Sequence, residues 1–76
     1  MTRVPKISGR ECGKILEKAG FSFIRQKGSH IVFRRQEPFA QVVVPDHKEL
    51  DRGTLQAIIR QSGISVENFL KLLEQS

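Results

Sequence analysis

Apolar positions in the first quarter of the chain recur with a helical period. Cys12, Ile15, Leu16 and Ala19 stand at i, i+3, i+4 and i+7, which is one stripe of an α-helix. Ser8-Gly9-Arg10-Glu11 precedes them in the S-x-x-E form of a capping box, in which the serine hydroxyl and the glutamate carboxylate each accept from the other residue's amide. Gly20 follows the last apolar position, where a left-handed residue ends a helix. The spacing predicts a helix over residues 9–19 and makes Cys12 a core residue rather than a reactive thiol.

From Phe21 the period falls to two. Phe21 and Phe23 flank Ser22, and Ile24 breaks the alternation. Lys27-Gly28 signals a turn. His30, Val32 and Arg34 then alternate with Ile31, Phe33 and Arg35, and Gln36-Glu37-Pro38 marks a second turn. Ala40–Val44 is a third short β-branched run stopped by Pro45. Three strands joined by two short connections predict an antiparallel meander.

Beyond a polar stretch, Asp46–Leu50, the helical period returns. Leu55, Ile58, Ile59 and Ser62 form one stripe, started at Asp51 or Gly53 and ended by Gly63. Ser65 can cap a last helix whose stripe is Val66, Phe69, Leu70 and Leu73. The predicted order is α-β-β-β-α-α, an α+β fold with helices on one face of a three-stranded antiparallel sheet and the other face open. The 76 residues read as a single domain, 1–76, with a short polar N-terminal arm over residues 1–7.

Composition narrows the function classes. One cysteine cannot form an internal disulfide or a cysteine-based zinc or iron–sulfur site. The longest apolar runs, such as Val42-Val43-Val44, are too short for a membrane span or a signal peptide, and the expected location is the cytoplasm. Net charge is +5, but it is uneven. Residues 1–35 hold nine Lys or Arg against two acids, and residues 36–76 hold four against six. Such a first half suits an anionic partner, nucleic acid above all.

Two side chains can exchange protons near neutral pH, His30 and His47. If Ile31 and Phe33 face the helices, His30 and Arg34 share the open face, with Arg25 and Lys27 nearby in the chain and Gly28 allowing close backbone approach. Read from the residues alone, His30 remains open between an ordinary exposed strand histidine and a proton-transfer group, and His47 between a loop histidine and a substrate contact. Ser29 and His30 are adjacent, so within a strand they point to opposite faces and form no nucleophile–base pair. The histidines lie too far apart, and too far from clustered carboxylates, to suggest a metal site. Asp51-Arg52-Gly53-Thr54 offers helix-start amides to a phosphate, as any helix start does.

Lys27-Gly28-Ser29-His30, Val42–Leu50, Gly53-Thr54-Leu55 and Ile58–Ser65, with the opening Ser8-Gly9 and the Lys18-Ala19-Gly20-Phe21 stretch, resemble the HicA toxin family of mRNA interferases in order and spacing. The resemblance runs from about residue 4 to residue 73. It implies a fold like a double-stranded-RNA-binding domain, metal-independent cleavage of mRNA without a cofactor, and neutralisation by a HicB-type antitoxin. It also implies that His30 is the catalytic histidine. On this basis the expected RNA-contacting set is Arg25, Lys27, Gly28, Ser29, Arg34, His47 and Lys48. The competing reading is a non-catalytic double-stranded-RNA-binding module; it lacks the run of lysines at the second helix start that grips phosphates in such domains. A purely protein-binding adaptor leaves the basic first half unexplained.

Overall fold

The computed structural model describes residues 5–75. Its elements are α1 (Gly9–Lys18), β1 (Ser22–Lys27), β2 (His30–Gln36), β3 (Phe39–Pro45), α2 (Arg52–Ser62) and α3 (Val66–Glu74). This is the expected α+β order, a double-stranded-RNA-binding-domain-like layout with a third helix appended.

Local chemistry sets each helix. The Ser8 hydroxyl accepts from the Glu11 amide at 3.0 Å, and the Glu11 carboxylate accepts from the Ser8 amide at 2.9 Å, so the capping box is formed. Cys12, Ile15 and Leu16 are buried, and Gly20 leaves the helix with φ +98°. Asp51 caps α2 by accepting from the Thr54 amide at 2.7 Å, and Ser65 caps α3 by accepting from Asn68 at 3.1 Å. In α3 the packing face differs from the expected stripe. Phe69 is buried, and Val66, Leu72 and Leu73 pack against the core, whereas Leu70 lies outside that cluster. α3 also packs against α1.

The sheet order is β1-β2-β3, antiparallel throughout. Ile31 pairs with Val44 and Phe33 with Val42, and all four point into the core under the helices. The alternate pairs, His30 with Pro45, Val32 with Val43, Arg34 with Gln41 and Gln36 with Phe39, share the uncovered face. α2 packs along β3, while α1 rests against β1, β3 and α3.

Two features were not expected. Of the proposed arm, residues 1–4 lie outside the described residues, but Ile7 is only 6% exposed, and its carbonyl accepts from the Leu50 amide at 2.8 Å. Ile7 is therefore a core residue and not part of an arm. Arg35 is a structural clamp on the helix side. Its guanidinium lies 4.7 Å over the Phe21 ring and donates to the carbonyls of Pro38 and Ser62, tying the β2–β3 turn to the end of α2.

Candidate active site

The three strands contain no Asp or Glu. Their cations on the open face are Arg25, Lys27 and Arg34, beside His30. Strict alternation would put Arg25 on the same side as Phe23, whose ring meets Phe33 edge-on at 6.2 Å on the helix side. A β-bulge prevents this. Phe23 pairs with Phe33, yet Arg25 pairs with Val32, so Ile24 is the extra residue and Arg25 emerges on the open face. The broken alternation at Phe23-Ile24 was the visible sign of this bulge.

A two-residue turn, Gly28-Ser29, links β1 to β2, and Gly28 holds φ +59°. Hairpin turns require such a left-handed residue, and glycine adopts it without a Cβ penalty. Lys27 and His30 are consequently a directly opposed pair. With Arg25, Gly28, Ser29, Val32 and Val43 they line a shallow concavity of about 550 Å³. The structure thus brings five of the expected residues together with His30 among them: Arg25, Lys27, Gly28, Ser29 and His30.

The other three sit apart. Arg34 shares the face but stands four residues along β2 from His30, about 13 Å at ~3.3 Å per residue, and its Nε donates to the Gln41 side chain at 3.0 Å. His47 and Lys48 follow β3 in an exposed loop and do not line the concavity. The His47 carbonyl accepts from the Gly9 amide at 2.8 Å, and its imidazole lies near Asp46 and Asp51. At the start of α2 the Asp51 carboxylate already takes the Thr54 amide, which places negative charge where a phosphate would otherwise sit.

Sequence reasoning missed the groups that hold the turn. Arg10 on α1 donates from Nε and Nη2 to the two carboxylate oxygens of Asp46, at 3.1 and 3.3 Å. Gln26 Nε2 donates to Asp46 Oδ2 at 3.1 Å and to the Gly28 carbonyl at 3.0 Å. The Asp46 amide donates to the Ser29 carbonyl at 2.7 Å. Three elements therefore clasp the residues that precede His30. The Arg10 hydrogen bond, helped by Gln26 and by the charges of Arg10 and His47, holds the Asp46 carboxyl below its usual range against the opposing effect of desolvation.

Other chemistry is limited. Burial pushes the Cys12 thiol up to about 12, which leaves it protonated and unreactive at neutral pH. Among the described residues no group of three or more His, Cys, Asp or Glu is placed to hold a metal ion. Among them, too, no helix is long and apolar enough to cross a membrane. What the concavity offers is one imidazole, two cations and a glycine-containing turn, all accessible from solvent. That set can bind a phosphate and move a proton beside it.

A family model described as the HicA toxin of bacterial toxin–antitoxin systems matches residues 9–64, from the start of α1 to just past the end of α2. No curated protein matches the chain.

Proposed function

The chain belongs to the HicA toxin family of bacterial toxin–antitoxin systems, and from that premise we propose that it is an endoribonuclease that cuts mRNA in the cytoplasm. His30 is its proton-transfer residue. The observation that carries this reading is the position of His30 at the head of β2, opposite Lys27 and in one concavity with Arg25, on a sheet without carboxylates.

RNA supplies its own nucleophile. The 2′-hydroxyl next to the scissile phosphate attacks phosphorus, the bond to the 5′-oxygen breaks, and a 2′,3′-cyclic phosphate and a 5′-hydroxyl result. His30 serves this exchange as base toward the 2′-hydroxyl or as acid toward the departing oxygen. Arg25 and Lys27 offset the charge that grows on the phosphoryl oxygens. Gly28 and Ser29 bring the backbone of the turn close to the strand. Arg34 holds phosphates farther along the sheet, and His47 and Lys48 would meet RNA that extends past the end of β3. The reaction as proposed needs no metal or cofactor, since positioning and acid–base transfer suffice for an internal nucleophile.

The test is a cleavage assay on purified protein with and without EDTA. His30→Ala is expected to lower the rate by ~10²–10⁴-fold, the usual reach of one acid–base group, while circular dichroism stays unchanged. A single 2′-deoxy nucleotide at the cut site is expected to block cleavage there. Full activity in a folded His30→Ala variant would overturn the assignment. RNA retained intact by the unmodified protein would instead favour a binding module.

A further inference from the structure

Phe39 is the most exposed large apolar side chain among the described residues, at 66%. A single exposed phenylalanine signifies little; its setting is what matters. It opens β3 opposite Gln36, on the uncovered face, six residues along β2 from His30. At ~3.3 Å per residue that is about 20 Å. Between the two ends run an apolar middle, Val32 and Val43, and then a flat polar pair, Arg34 and Gln41.

Strands that carry cations and no acid, with an aromatic ring on the same open face, are the components with which proteins hold single-stranded nucleic acid; the nearest acid, Glu37, lies in the turn before Phe39. The cations follow the phosphates, and the ring stacks on a base. A duplex presents no free base faces to such a ring, because its bases are stacked inside. We propose that the substrate is single-stranded RNA laid along the open sheet face, with a nucleobase stacked on Phe39 remote from the scissile phosphate at His30. The span corresponds to about six nucleotides at the stacked spacing of ~3.4 Å, and to fewer where the strand is splayed out. This inference rests on the RNA-cleaving reading above and assigns that site a distal base subsite.

The test uses the full chain carrying His30→Ala, so that bound RNA persists. Binding of a long and a very short single-stranded oligoribonucleotide, and of a duplex, is compared between Phe39, Phe39→Leu and Phe39→Trp. Leucine keeps apolar bulk but has no π face, and tryptophan keeps the face. Position 39 lies outside the core, so neither change threatens the fold. Loss of one stacked base corresponds to roughly tenfold weaker binding. That loss is expected for Phe39→Leu with the long strand only, with tryptophan restoring it. A 2-aminopurine placed at the distal position should be quenched by the parent and not by the leucine variant.

Equal affinity of the Phe39 and Leu forms for the long strand overturns the subsite while leaving the RNA-cleaving reading intact. So does an equal loss with the short strand or the duplex. Absence of RNA binding by the parent chain sinks both readings at once.

Discussion

The amide of Asp46 donates to the carbonyl of Ser29 at 2.7 Å, so the loop leaving β3 grips the residue next to His30. Its carboxylate is engaged as well, with Arg10 on α1 and Gln26 on β1. Arg10 reaches the turn through the Asp46 carboxylate, and Gln26 also donates directly to the Gly28 carbonyl. Asp46 is a positioning residue in the proposed reaction, one step removed from the phosphate.

Asp46→Ala is expected to lower kcat by up to ~10²-fold, the scale of loss from small misplacements of reacting groups. KM should change much less, because Arg25 and Lys27 remain in place. Asp46→Asn retains an oxygen acceptor and should recover part of the rate. A purely structural role predicts that activity follows the folded fraction in a thermal melt. An Ala variant with unchanged kcat would remove Asp46 from the positioning role.

Gly13 offers a stability test far from the chemistry. A Cβ built there would stand 2.5 Å from Cζ of Phe33. Replacing a helical glycine with alanine gains up to ~1 kcal/mol of helix propensity, whereas overpacking a filled core costs about 1–3 kcal/mol. The steric cost wins, because the contact is with a ring buried in the core. Gly13→Ala should therefore lower Tm by several degrees, at ~4–8 °C per kcal/mol for a domain of this size. Pairing it with Phe33→Leu should recover part of that loss relative to the sum of the single changes, a coupling read in a double-mutant cycle.

Acid stability should depend on the carboxylates that the fold holds low. The backbone and side-chain hydrogen bonds from Thr54 depress the Asp51 carboxyl, and Arg10 does the same for Asp46. In both cases the folded chain binds protons less readily than the unfolded chain. Their stabilisation is fully present above the ordinary aspartate value of ~3.9 and is lost as pH falls through the lower folded values. Tm should accordingly decline on the acid side. Asp51→Asn keeps a good cap but removes one titrating group, so its Tm–pH curve should be flatter there. Superimposable slopes for the two proteins would contradict this account.

Helices and strands were legible in the sequence because their signals are local. The Ser8/Glu11 box, the Cys12–Ala19 stripe and the Gly28 turn each lie within one or two turns of chain. The clasp was not legible. Arg10 and Asp46 are 36 positions apart and Gln26 and Asp46 are 20 apart, and polar pairs at such separations leave no period in the sequence. Ile7 has the same difficulty, being buried by distant partners and preceded by polar chain. The face occupied by Arg25 depends on the bulge at Ile24, which alternation flagged only as an irregularity. As for His30, position and charge left an ordinary exposed strand histidine and a proton-transfer group both open, and the catalytic reading entered only through family resemblance.

Membership of a toxin–antitoxin family implies an antitoxin, and the charge map indicates where a HicB-type partner would bind. The open face carries Arg25, Lys27 and Arg34 without a compensating acid on the strands. A complementary acidic surface would be steered to that face and held in register by it. An ordinary interface buries about 800 Å² per side, a large fraction of one sheet face in a molecule of 5177 Å² total surface. Such a partner would cover His30 and the phosphate-binding cations together, so antitoxin and RNA should compete. The measurement is a titration of antitoxin into a preformed complex of RNA with the His30→Ala chain. Release of RNA in proportion to antitoxin bound is expected, with the apparent antitoxin affinity falling as RNA is raised. Added salt should slow antitoxin association more than it speeds dissociation, since steering is the screened component. A ternary complex in which neither ligand weakens the other would place the antitoxin elsewhere on the molecule and require inhibition to act through the fold.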